Sequence, residues 1–131
     1  MNPQIVEKDE WLYRRCPPDP MYWKRTDNTT SSILFKTDAL NPELSVDRDG
    51  SRMEDDIVKH ILTDHEMYGV AKAQCHICIT CGASFFPSPL AENQFHAGIY
   101  GSPQKEKVNR GLAKKMEKEF IVVQAPILTV D

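Results

Sequence analysis

Apolar residues come in short, separated runs along this chain, and their spacing alternates between strand-like and helix-like. Residues 10–16, "EWLYRRC", place aromatic and aliphatic side chains just ahead of Pro17-Pro18 and predict an N-terminal strand. Residues 17–30, rich in Pro, Asp, Asn and Thr, predict a loop on which Tyr22 and Trp23 pack down. "SSILFK" (31–36) is either a strand or a single helical turn, and Leu44–Val46 forms a short strand ended by Asp49-Gly50. Ser51 with Glu54 three residues later makes a capping box. Met53, Ile57, Val58, Ile61 and Leu62 then share one face, so a first helix is predicted to about Thr63. The second half of 68–81 is β-like, 82–93 is a loop with two prolines, and 95–101 is a short strand. Val108, Leu112, Met116 and Phe120 recur every four residues and predict a second helix over about 105–119, despite Gly111, which costs about 1 kcal/mol relative to Ala. Residues 120–130 supply one or two final strands. No regular βαβ rhythm is present, so the expected class is α+β: a single domain over 1–131 with a mixed or antiparallel sheet and two main helices. Residues 1–9 and 124–131 are expected as loose ends.

Bulk properties narrow the function classes only a little. A chain of 131 residues can bury enough surface to fold without a disulfide or metal. Its 16 basic and 19 acidic residues give a net charge of −3, which argues against a dedicated nucleic-acid binder. No apolar run approaches the roughly 20 residues needed to span a bilayer. The N-terminus lacks a signal-peptide pattern, so a cytoplasmic protein with reduced thiols is expected and no membrane partner.

The one concentration of reactive side chains is "AQCHICITCG" (73–82). Cys75, Cys78 and Cys81 form C-x-x-C-x-x-C, and "CITCG" is locally similar to a zinc knuckle, with His60, His65 and His76 nearby as further ligands. The opposing reading is a buried strand. Ile77, Ile79 and Thr80 are β-branched, and strand alternation would split the cysteines between two faces. No second C-x-x-C pair is present, and the strand is the expectation adopted, with no metal assigned.

Other candidates are more scattered. Asp47, Asp49, Gly50 and Asp56 partly match a calcium loop, but Ser45 stands at its first ligand position, and Asp-Gly after a strand normally makes a turn. His96 opens a short strand after a loop and is a candidate acid, base or ligand. Arg14 and Arg15 sit on a strand, where one faces inward and needs a partner or an anionic ligand. The Lys- and Glu-rich face of 104–119 reads as solvated. Phosphate-loop, dinucleotide, zinc-protease and nucleophile-elbow signatures are absent.

Four segments occur in order: "LYRR" (12–15), "SSILF" (31–35), "LSVD" (44–47) and "NQFHAGIYG" (93–101). Together they resemble a family of small bacterial proteins carrying L-x-R-R, S-S-x-x-F, L-S-V-D and N-x-x-H-A-x-[IV]-x-G, over about residues 11–115. That family has no assigned activity. The resemblance therefore implies positions, not a reaction: Arg14, Arg15, Ser31, Ser32, Phe35, Ser45, Asp47, Asn93, His96 and Ala97. Polar residues drawn from several segments suit a pocket, here near Arg14, Ser32 and His96, with Arg15, Ser31 and Asn93 as further ligand-binding candidates. A strand Arg followed by Ser is also faintly similar to mono-ADP-ribosyltransferases. Those enzymes need a catalytic Glu near the end, whereas Glu117 and Glu119 fall on a predicted helix. The expectation is a binding module for a protein partner or small phosphorylated ligand, as in a bacterial defence, toxin–antitoxin or phage-related system. The alternatives are a small enzyme acting on a nucleotide or other phosphorylated substrate, and a zinc-stabilised module.

Overall fold

A computed structural model of the chain describes residues 9–128. Its elements are β1 (Trp11–Cys16), β2 (Trp23–Lys24), β3 (Thr29–Thr30), a 3-10 helix (Ser32–Phe35), β4 (Leu44–Arg48), α1 (Glu54–Ile61), β5 (Gly69–Gln74), α2 (Cys75–Cys81), β6 (Ser84–Pro87), β7 (His96–Tyr100), α3 (Arg110–Glu119) and β8 (Ile121–Gln124). Six strands form one antiparallel sheet in the order β6-β7-β4-β1-β5-β8, and β2 and β3 make a small hairpin. The fold is α+β, as expected.

Strand alternation divides the core between the two sheet faces. One face carries Leu12, Cys16, Leu44, Val46, Ala97 and Ile99, and it packs against Leu34 and Phe35 of the 3-10 helix, Cys75 and Cys78 of α2, and Leu112, Ala113 and Met116 of α3. Phe35 and Phe120 anchor this layer, with ring centroids 4.6 Å apart. The other face has a smaller core in which Tyr13 and Val70 meet Ile57 and Ile61 of α1. That single helix covers the β1–β5 side and leaves the β4–β7–β6 side open.

Several element boundaries differ from expectation, each for a visible reason. The segment 75–81 is a helix, not a strand. β5 runs out of partner backbone at Gln74, which lies opposite Trp11, the first residue of β1. One more rung, Cys75 N–H to Glu10 O (2.8 Å), closes the ladder. The chain then turns helical and stops at Gly82, whose φ of 112° provides the left-handed C-cap. Pairing geometry thus overrides β propensity. The capping box does not form. Ser51 lies in a tight turn with φ 62°, Met53 occupies the N-cap of α1, and Glu54 accepts hydrogen bonds from Tyr13 Oη (3.0 Å) and Lys72 Nζ (2.6 Å). α1 consequently starts at Glu54 with three acids in its first turn, where they oppose the helix dipole. α3 starts at Arg110, because Asn109 caps it through Leu112 N–H (2.9 Å). Val108 is buried by pairing with Thr37, not by helical spacing. The expected loop at 82–93 contains β6. Within the expected loose end 124–131, Gln124 closes β8 and Ile127 N–H bonds Met67 O; most of 1–9, and 129–131, lie outside the described residues.

All four cysteines are free thiols; Cys16, Cys75 and Cys78 are buried and Cys81 is half-buried. Burial pushes Cys16 and Cys75 up to about 11 and Cys78 up to about 12, and Cys81 is raised in the same direction. A thiol reagent near pH 8 is therefore expected to modify Cys81 first and the other three only on unfolding; rapid reaction of all four would show that α2 is not packed as described. Raised thiol pKa values favour the folded state only while the groups stay protonated. Stability is thus expected to be level below about pH 9 and to fall as pH climbs towards 11–12, read as a declining urea midpoint. Beside Cys75 lies a buried ion pair in which Arg48 Nε and Nη2 each donate to Glu10 at 3.0 Å. Glu10→Ala takes a bidentate carboxylate away from this buried guanidinium, so a lower urea midpoint is expected.

Candidate functional site

The sheet has one weak seam. β1 pairs with β5 along six residues, but with β4 only at Leu12–Arg48 and Tyr13–Asp47. Beyond Tyr13 the ladder between the two central strands stops, and the side chain of Arg14 takes over. Its Nη1 donates to Ser45 O of β4 at 3.0 Å, while Nε (3.2 Å) and Nη2 (3.1 Å) both donate to Leu34 O of the 3-10 helix. The bond to Ser45 O is exposed, whereas the two to Leu34 O are partly buried. No carboxylate among the described residues pairs with Arg14. Burial and the neighbouring Arg15 bring its guanidinium down to about 10.

On the α1 face of this seam lies a cavity of about 360 Å³, within the usual size range of small-molecule sites. Tyr13, Arg14 and Arg15 of β1 and Ser45, Val46 and Asp47 of β4 form its floor. His60, Ile61 and Thr63 at the end of α1 make one wall, and Leu90, Glu92, Asn93 and His96 make the other. Cross-strand register explains the meeting, since Tyr13, Asp47 and His96 lie side by side in one row across β1, β4 and β7. Asn93 is placed by the tight turn Leu90–Asn93. Its Nδ2 donates to Asp47 Oδ1 (2.9 Å), and its Oδ1 accepts from Phe95 N–H (3.1 Å). Arg15 stands exposed with its guanidinium 5.7 Å from the Tyr68 ring, and it has no hydrogen bond or ion pair among the described residues.

His96 is held from both sides. Its Nδ1 lies 3.0 Å from the carbonyl oxygen of Ser88 and 2.9 Å from Ser88 Oγ. A carbonyl can only accept, so Nδ1 carries a hydrogen. Nε2 then faces Glu43 Oε1 at 3.5 Å. Glu43 is a hub over the open half of the face, where it also accepts from Ser45 Oγ (3.1 Å) and Tyr100 Oη (3.1 Å). It fits there because Gly98 has no side chain; a Cβ would fall 2.6 Å from Glu43 Oε2. Burial first, and then the Glu43 hydrogen bond and charge, raise the Tyr100 phenol above its usual value.

Of the positions expected from sequence, the cavity gathers Arg14, Arg15, Asn93 and His96, with Ser45 and Asp47. Ser31 and Ser32 lie outside its lining. Ser31 Oγ donates to Met21 O (2.6 Å), and Ser32 begins the 3-10 helix, so their segment serves the site only through Leu34 O, which holds Arg14. Glu117 pairs with Lys24, and neither it nor Glu119 lines the cavity. Among the described residues, no group of three or more His, Cys, Asp or Glu side chains is arranged to hold a metal ion, and Cys75, Cys78 and Cys81 are placed by helix packing. Asp49, from the partial calcium pattern, accepts from Trp11 and Ser51 N–H groups at 2.9 Å. Glu43, Ser88, Glu92 and Tyr100 were not anticipated, and His60, considered only as a ligand beside the cysteines, lines the cavity instead. Glu43 was legible, since it precedes Ser45 and Asp47 at strand spacing.

No helix among the described residues is long and apolar enough to cross a membrane. No protein-family model, curated protein or solved structure matches this chain.

Glu43→Gln removes the charge but keeps the shape of the hub. The Tyr100 phenol is expected to titrate lower than in the parent protein yet still above the ordinary 10.0, because burial remains; ring-carbon NMR across an alkaline titration reads this. Gly98→Ala, which displaces Glu43, is expected to shift Tyr100 in the same direction. An unchanged Tyr100 titration in both variants would show that the carboxylate does not act on it.

Proposed function

We propose that this chain is a binding module whose seam cavity takes a small anionic ligand, a phosphorylated or carboxylated molecule. The observation that carries this reading is Arg14. A guanidinium placed among protein atoms without a carboxylate is costly unless an anion meets it, and among the described residues Arg14 is bonded only to neutral carbonyl oxygens. Arg15, the next residue of β1, lines the same cavity from the α1 face, while Arg14 reaches across the seam from the other. Asp47, held by Asn93, offers an acceptor for the uncharged part of the ligand. The bacterial and cytoplasmic setting expected from sequence belongs to the same proposal.

The fixed tautomer of His96 supports a second reading, a small enzyme acting on a phosphorylated substrate. With Nδ1–H committed to Ser88, Nε2 is left to exchange a proton beside Glu43, which suits a general acid or base. In that reading Arg14 and Arg15 bind the substrate and His96 moves the proton.

Titration with inorganic phosphate and ribose 5-phosphate, followed by amide NMR, tests the binding reading. Saturable shifts are expected at Ser45, Asp47, Asn93 and His96. Arg15→Gln, an exposed change that should leave the fold intact, is expected to weaken binding by about 10-fold or more, the value of a charge-assisted hydrogen bond. Absence of saturable shifts with both probes would overturn the proposal.

A further inference from the structure

A second cavity, of about 260 Å³, adjoins the first and shares His60, Glu92 and Asn93 with it. It is completed by Ala91, Gln94 and Phe95. The Phe95 ring is fixed in place, with the Arg52 guanidinium 3.7 Å from its centroid. Gly50, left-handed at φ 57°, leaves the room the ring occupies. His60 has a defined proton. Its Nδ1 lies 3.3 Å from Arg52 Nη1, and a guanidinium can only donate, so Nδ1 accepts and the hydrogen sits on Nε2. The Gln94 amide has no hydrogen bond among the described residues and keeps both its donor and acceptor ends available. The joined cavities therefore present three chemistries in sequence: two guanidiniums, then the Asp47 carboxylate with Oδ2 unpartnered among the described residues, then an aromatic wall with imidazole and amide edges.

We infer that the ligand is a mononucleotide, with its phosphate at Arg14 and Arg15, its ribose hydroxyls on Asp47, and its base in the second cavity against His60, Gln94 and Phe95. This rests on the anion-binding reading above and extends it to a ligand class. A carboxylate that accepts hydroxyl hydrogens sits between the anion site and the polar aromatic site, the order in which a nucleoside 5′-phosphate carries its parts. A sugar phosphate would leave the second cavity to water. Asn93 is held by the protein, with one amide hydrogen on Asp47 and its oxygen on Phe95 N–H. His60 Nε2–H and the Gln94 amide supply recognition of the base.

Calorimetry on the full chain with inorganic phosphate, ribose 5-phosphate and the four ribonucleoside 5′-monophosphates tests the inference. Affinity is expected to rise along that series, with at least one nucleotide binding about 10-fold more tightly than ribose 5-phosphate, as one or two added hydrogen bonds and ring contact would give. Gln94→Ala, at an exposed position that lines only the second cavity, is expected to remove most of that increment and leave ribose 5-phosphate binding unchanged. Equal affinity for ribose 5-phosphate and all four nucleotides would overturn the nucleotide assignment while leaving the anion site standing. Failure of every probe to bind would overturn both.

Discussion

The sheet depends on a side chain that continues the join between its two halves where the backbone ladder stops. β6, β7 and β4 form one three-stranded unit, β1, β5 and β8 the other, and the ladder between them is short, with two register pairs and an Asp49 N–H to Trp11 O bond at its end. Where that ladder ends, Arg14 replaces it, reaching from β1 to a carbonyl on β4 and another on the 3-10 helix. Lysine could not do this, because its single ammonium lacks the planar fork that spans two acceptors at once. The arrangement also places a positive charge where a plain ladder would place none. The strain of an interrupted sheet and the character of the cavity thus have a common origin.

Unequal covering of the two faces gives the rest of the site. The 3-10 helix, α2 and α3 seal one face, and they leave Arg14 little solvent on that side. α1 alone sits on the other, and it is eight residues long, so it shields Tyr13 and Val70 and ends beside the seam. The uncovered strands present Ser45, Asp47, His96 and Tyr100, polar side chains at period-two spacing. Glu43 folds over this row and accepts the hydroxyl hydrogens of Ser45 and the buried Tyr100.

The strand positions were readable in the sequence because alternation is local. Trp11–Cys16, Leu44–Arg48 and His96–Tyr100 carry their pattern within five or six residues. Arg14, Arg15, Asn93 and His96, singled out together in the sequence, line one cavity. What was not readable depended on distant partners. Cys75–Cys81 reads as a strand until it is known that β1 offers no backbone opposite it. Ser51 and Glu54 read as a capping box until Tyr13 and Lys72, from two other strands, claim the glutamate. Ser31 and Ser32 share a motif with Leu34, yet the carbonyl of Leu34, which any residue could supply, is what touches the site.

The sheet is open, with β6 and β8 as its two edges, and open sheets risk recruiting strands from neighbouring copies. Both edges here are blunt. β6 is four residues long and ends in Pro87, which has no N–H to donate, and β8 is four residues long with Pro126 two residues beyond its end. A passing chain finds too little free backbone at either edge to extend the array. The two strands that an open sheet must protect are thus also its two shortest.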